Sequence, residues 1–150
     1  MPDLVTHLAS AYLFKKFTRL SRGVVLFYLG ALLPDLVSRP LHIVWPAIYP
    51  ATQPLHSPVG AFLYCWLISL FFRSDQRKSV FFLLFGGSLL HFFLDIFQKH
   101  LVGGYLWLFP FSLRPFSFGY FWPEDALRVL PYTFLMVLIV FLISAWRKKQ

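Results

Sequence analysis

Residues 86–95 read Gly-Gly-Ser-Leu-Leu-His-Phe-Phe-Leu-Asp, which places an imidazole and a carboxylate inside an apolar, aromatic run. Residues four apart on a helix lie on the same face, so His91 and Asp95 would present a nitrogen and an oxygen ligand together. Such a pair suits a divalent cation such as zinc. The run is also apolar enough to lie in a membrane, where ionisable side chains are costly and usually mark function. The stretch predicts a membrane helix with a metal site near its end.

Composition indicates an integral membrane protein. The chain has 150 residues, of which 58% are hydrophobic and 13% charged, whereas soluble domains are about 25% charged. A chain of this size cannot bury so much apolar surface by itself, so we expect one membrane-embedded domain over residues 1–150. The net charge of +8 falls in short basic clusters between apolar runs. That pattern is typical of membrane orientation and not of nucleic-acid binding, so no nucleic-acid partner is expected.

The order of apolar runs predicts an all-α fold. Apolar segments separated by basic clusters and proline-rich stretches give an integral membrane bundle of about five transmembrane helices, at residues 4–14, 23–33, 58–72, 79–97 and 126–146. Two long outer loops rich in proline and aromatic residues follow the second and fourth helices. The proline-rich stretch after Pro34-Asp35 is predicted to exclude a continuous helix. The apolar segment 104–111 is expected to lie in, or re-enter, the membrane interface.

Basic residues predict the orientation. Ten of the fourteen Lys and Arg residues lie at residues 15–22, at residues 73–78 and at the C-terminus. In a chain that crosses the membrane five times, these three segments lie on the same side of the membrane. The positive-inside rule identifies that side as the cytoplasm. The protein is therefore predicted to be multi-pass, with a cytoplasmic C-terminus and with its N-terminus and long loops facing the exterior.

In this predicted topology the potential metal ligands lie together near the outer face of the membrane. Each predicted helix contributes a polar residue near the outer face, and randomly placed residues would be split between the two faces. The predicted ligands are His7, Asp35, His56, His91 and Asp95, with His100 and Glu124 as possible additional ligands. This set exceeds the three protein ligands of one catalytic zinc, so the site could hold one or two divalent ions.

Paired metals suit phosphoester hydrolysis, because they polarise the phosphoryl oxygen and activate a water. Asp35 is the predicted catalytic residue, acting as general base on that water. Three basic residues of the outer loops could orient an anionic head group, namely Arg39, Lys99 and Arg114. The simpler interpretation of each is interfacial snorkelling.

Several motifs in order resemble the YdjM-like family, whose members are described as inner-membrane metal-dependent hydrolases. They are Thr6-His7-Leu8, residues 29–35, His56-Ser57, residues 88–95 and residues 104–111. The H-x-x-x-D helix is similar, more distantly, to that of zinc-dependent phospholipase C. The resemblance implies an inner-membrane, zinc-type phosphoester hydrolase (a phosphodiesterase) with His7, His56, His91 and Asp95 as ligands and Asp35 as base. Val37 stands where the family often has a second acid.

We therefore expect a hydrolase that acts on a phospholipid or lipid-linked substrate, since a site at the membrane surface meets lipid head groups first. A non-enzymatic membrane protein with a structural, ion-sensing or transport metal site is the alternative. A haem protein with two axial histidines is a third possibility. Membrane lipids are the expected partners, and the sequence leaves the oligomeric state open.

Overall fold

The computed structural model describes residues 4–18, 20–99, 104–122 and 125–147. These residues form an all-α fold, as predicted. The helices are α1 (Leu4–Thr18), α2 (Val24–Val44), α3 (Tyr49–Thr52), α4 (Pro58–Ser69), α5 (Ser74–Asp95) and α6 (Asp125–Arg147). Two 3₁₀ turns, Pro46–Ile48 and Gln53–His56, flank α3. Within the described ranges the long segment after α5 contains only isolated bridges, Gln98 with Phe121 and Tyr105 with Phe116.

Helix α2 corrects one prediction, because it continues through Pro34 and Pro40 to Val44 where a loop was expected. Pro34 has no N–H, so the carbonyl of Gly30 loses its helical partner. The Ser88 hydroxyl of α5 donates to that carbonyl at 3.0 Å. A hydrogen bond from a neighbouring helix thus replaces the missing one, which is a common way for membrane helices to tolerate proline. Asp35 and the residues after it consequently lie on a regular helix.

Glycines bring α2 and α5 into close contact. A Cβ on Gly87 would collide with the backbone of Phe27, and a Cβ on Gly30 would collide with the carbonyl oxygen of Leu84. Small residues at such crossings let two backbones approach, as is typical of helix pairs in membranes. The buried side chains around the crossing include Phe27, Ala31 and Leu84. This close packing fixes the relative position of the two helices that carry Asp35, His91 and Asp95.

Two helices in the described part of the chain are long and apolar enough to cross a membrane, namely Val24–Val44 and Ser74–Asp95. Shorter apolar segments lie at Pro58–Ser69 and Pro131–Trp146. Large apolar side chains also point outward; Phe17 is 91% exposed and Phe71 is 90% exposed. Such surfaces are costly in water and suit contact with lipid.

Helices α1 and α6 lie side by side and run in the same direction. Their early residues, including Val5 and Phe134, line one apolar groove of about 750 Å³. Their later residues, including Phe17 and Ile143, line a second groove. The N-terminal ends of both helices therefore lie at the same end of the molecule.

Candidate metal centre

The structure brings the five predicted ligands together. His7 lies near the start of α1, Asp35 lies in α2, His56 ends the 3₁₀ turn before α4, and His91 and Asp95 lie in the last two turns of α5. All five are buried, with at most 1% of each side chain exposed. Four separate parts of the chain thus converge on one enclosed polar cluster. The predicted additional ligands His100 and Glu124 lie outside the described residues.

Asp95 is the centre of the cluster. Its Oδ2 lies 3.0 Å from His56 Nε2 and 3.3 Å from His91 Nε2, and its Oδ1 lies 3.5 Å from His7 Nε2. A tetrahedral zinc ion with bonds of about 2.0–2.1 Å separates its ligands by roughly 3.3 Å. The spacing of these atoms is therefore that of a ligand shell. Two overlapping groups have their ligand atoms within 4.8 Å of one another: His7, Asp35 and His91, and His56, His91 and Asp95.

The hydrogen bond of His91 fixes its tautomer. Its Nδ1 lies 2.8 Å from the carbonyl oxygen of Ala31. A carbonyl can only accept, so Nδ1 carries the proton. In the neutral ring the lone pair is then on Nε2, which faces Asp95 and, at 3.8 Å, Asp35 Oδ1. This is the arrangement found for histidines that bind metals through Nε2.

Hydrogen bonding also fixes the tautomer of His56. The Ser38 hydroxyl donates its only proton to the carbonyl oxygen of Pro34 at 2.7 Å. It must therefore accept from His56 Nδ1, which lies 3.0 Å away. The lone pair of a neutral His56 is consequently on Nε2, facing Asp95 Oδ2.

These two tautomers have an electrostatic consequence. Two nitrogen lone pairs and a carboxylate oxygen meet in a space from which water is excluded, and their mutual repulsion is not screened there. Either a cation lies between them or the rings take up extra protons. A divalent metal satisfies all three atoms at once, and two histidines with one carboxylate are a known ligand set of catalytic zinc.

Asp35 and Arg39 connect the cluster to the surface. Arg39 Nη2 lies 2.8 Å from Asp35 Oδ2, one helical turn away, and the Arg39 side chain is 30% exposed. Its Nε and Nη2 atoms are buried, so the exposed part is the remainder of the side chain. Among the three basic residues predicted to bind substrate, Arg39 is the one that contacts the cluster within the described residues.

The other two basic residues make no contact with the cluster in the described part of the chain. The Lys99 ammonium lies over the ring of Trp122, 5.3 Å from its centroid. Arg114 is exposed, and its backbone N–H donates to the Ser112 hydroxyl. These contacts fit the simpler interpretation of interfacial side chains.

His7 is held differently from the other two histidines. Neither of its ring nitrogens has a hydrogen-bond partner in the described part of the chain, although the ring is buried. It stacks on His91 with the ring centroids 3.8 Å apart. Rings in direct contact leave no room for a porphyrin between them, which argues against a haem held by this pair.

Two residues of the site were missed by the sequence reasoning. Ser38 orients His56, and it was hidden because the predicted loop began before it; its place three residues after Asp35 would have indicated it on a helix. Tyr105 is 6% exposed and stacks on His56 at 4.1 Å. Burial and the carboxylates of Asp95 and Asp35 raise the pKa of the Tyr105 hydroxyl well above its usual range, so it remains protonated.

A protein-family model described as "YdjM inner membrane protein" matches residues 3–149. No curated protein and no solved structure matches the chain at a significant level. The family description names the inner membrane, which agrees with the long apolar helices, but it names neither an activity nor a metal. The likeness to phospholipase C stays a prediction.

Proposed function

The chain belongs to the YdjM inner membrane protein family, and we propose that it is a membrane-embedded metal-dependent hydrolase. Its substrate would be a phosphoester of a phospholipid or of a lipid-linked molecule. The observation that carries the proposal is the pair of fixed tautomers, which point the lone pairs of His56 and His91 at Asp95 inside a buried cluster. A divalent cation would satisfy these atoms together.

The chemistry follows from the ligand set. A divalent ion, zinc in the first instance, would be held by His56, His91 and Asp95, where it would polarise the phosphoryl oxygen of the substrate and lower the pKa of a bound water. The water oxygen forms a bond to phosphorus while the ester P–O bond breaks. The departing alcohol oxygen gains a proton as the water loses one, so the reaction is a redox-neutral hydrolysis. Asp35 remains the predicted acceptor of the water's proton.

The charge balance of the cluster favours an anionic substrate. With neutral histidines, the two carboxylates and Arg39 leave one net negative charge. A divalent ion converts this to one net positive charge. Because Arg39 is the partly exposed member of the cluster, an incoming anion meets its positive charge first. A phosphoryl group carries the negative charge that pairs with Arg39, whereas a neutral ester carries none.

The placement of charge supports a multi-pass topology with the site at the outer face. The cluster lies near the start of α1 and at the end of α5, whereas Lys15 and Lys16 lie in the last turn of α1. Arg73 precedes α5, and Arg147 ends α6. Basic residues thus lie at the end of the bundle opposite the cluster. The positive-inside rule assigns that end to the cytoplasm, and five spans remain our proposal for α1, α2, α4, α5 and α6.

One observation favours the alternative of a structural or ion-sensing metal site. The five candidate ligands are almost completely buried, and structural ions are usually closed off by their ligands. Hydrolysis would require the substrate to reach the ion past Arg39, the partly exposed member of the cluster.

An assay of lipid hydrolysis separates these functions. The purified protein, loaded with zinc or manganese, is incubated with mixed micelles of phosphatidylglycerol, phosphatidylethanolamine and cardiolipin, and products are followed by ³¹P NMR. We expect a new phosphorus resonance that disappears with a chelator and in Asp95→Asn. If the metal-loaded protein leaves these lipids and added lipid-linked phosphates intact, the structural alternative is the better account.

A further inference from the structure

The three histidines of the cluster are not equivalent. His56 and His91 each use Nδ1 in a hydrogen bond, to Ser38 and to Ala31 respectively, and so direct Nε2 inward. His7 has no such bond within the described residues. Histidines that ligate metals almost always donate their other N–H to an acceptor, which fixes the ring. His7 therefore lacks the support that the two other rings have.

The two carboxylate oxygens of Asp95 face different histidines. Its Oδ2 faces both supported histidines at 3.0 and 3.3 Å. Its Oδ1 faces His7 at 3.5 Å, which is longer than an ordinary hydrogen bond. Asp35 lies at the edge of this set, with one oxygen on Arg39 and the other 3.8 Å from His91. Three well-supported ligand atoms thus meet at one point, and His7 lies beside them.

We propose that His56, His91 and Asp95 hold a single ion, and that His7 is not a ligand but a hydrogen-bonding group for the substrate. Three protein ligands with an open position are typical of a catalytic zinc. A neutral imidazole offers one donor and one acceptor, and a buried ring with both nitrogens unpaired is unfavourable until something binds there. A phosphoryl oxygen of the substrate would accept a hydrogen bond from the N–H of His7. This inference rests on the proposed function and differs from the ligand role that the sequence predicts for His7.

Titration with cobalt(II) tests whether His7 is a metal ligand, because the visible absorption of bound cobalt(II) reports the number and type of its ligands. Wild-type protein, His7→Gln and the matched control His56→Gln are titrated with cobalt(II). We expect one equivalent in the wild type, the same stoichiometry and spectrum in His7→Gln, and loss of binding in His56→Gln. A changed spectrum, or a lower stoichiometry in His7→Gln, would overturn the inference. His7→Asn repeats the measurement if the glutamine variant does not fold.

Inorganic phosphate tests the second half of the inference. Added to the cobalt-loaded protein, it should change the spectrum of the wild type at lower concentration than that of His7→Gln. One lost hydrogen bond to a charged group corresponds to a weakening of roughly tenfold or more. Equal phosphate affinity in the two proteins would refute a role in binding the substrate. If the wild type binds no cobalt at all, the proposed function itself fails. This result differs from a changed cobalt spectrum in His7→Gln and from equal phosphate affinity, which would refute only the role inferred for His7.

Discussion

Ser38 shows how one hydroxyl can determine the chemistry of a site. By donating to Pro34 and accepting from His56, it places the lone pair of His56 on the nitrogen that faces Asp95. Ser38→Ala should lower metal affinity by about 10–100-fold, the usual effect of losing an orienting partner. Metal titration checks this prediction. Ser144→Ala is the matched control, because Ser144 makes the same bond to a carbonyl four residues earlier on a different helix; an equal loss in both variants would contradict the assigned role.

Arg39 provides a second test at the residue scale. Arg39→Gln removes a charge-assisted contact to an incoming anion, so KM for an anionic lipid should rise about tenfold or more. Arg39→Lys should recover only part of the loss, because an ammonium lacks the planar set of donors with which a guanidinium can contact Asp35 and an anion together. Arg128→Gln removes an exposed arginine paired with Asp125 and should change nothing. A KM unaffected by Arg39→Gln would exclude Arg39 from substrate binding.

At the scale of elements, the crossing of α2 and α5 determines whether the site can form. A methyl group on Gly87 would meet the backbone of α2, whereas on Gly86 it would meet only the Phe27 ring at an ordinary 3.7 Å. Gly87→Ala should therefore destabilise the protein by about 1–3 kcal/mol or more. Gly86→Ala should be neutral or slightly stabilising. Thermal unfolding in detergent compares the two, and equal stability would show that the helices are not packed this closely.

The helices also show what sequence patterns can and cannot predict. The apolar runs predicted the positions of α1, α4 and α6 within a few residues, because apolar helices are recognisable from local hydropathy. The prediction failed at α2, where two prolines were interpreted as a loop. Its continuation past Pro34 is supported by Ser88, which is distant in the chain. The Ser88 hydroxyl is shared between the carbonyl of Gly30, which Pro34 leaves unpaired, and the carbonyl of Leu84. A local pattern contains no information on such a contact.

At the scale of the whole molecule, the proposed orientation makes a prediction for intact cells. In a Cys65→Ala background, Ser117→Cys should react with an impermeant maleimide, and Ser74→Cys should not. Ser117 lies in the long segment after α5, and Ser74 starts α5 at the basic end of the bundle. Labelling of Ser74→Cys alone would place the cluster on the cytoplasmic side and reverse the proposed topology.

The convergence of the candidate ligands was predicted more completely than the fold around them. Counting helices and applying the charge rule was enough to predict that His7, Asp35, His56, His91 and Asp95 converge, and the structure brings them together. The different role inferred for His7 was not predictable, because it depends on which nitrogens carry protons. That information comes from the contacts of Ala31 and Ser38.

Elemental analysis of the purified protein tests the central claim, which is that the buried cluster holds a metal ion. Wild type is compared with His56→Ala and Asp95→Ala by mass spectrometry after purification in detergent without added metal. The account predicts one equivalent of a divalent metal such as zinc, manganese or iron in the wild type, and its loss in both variants. Absence of metal from the wild type, even after reconstitution with zinc, would contradict the claim.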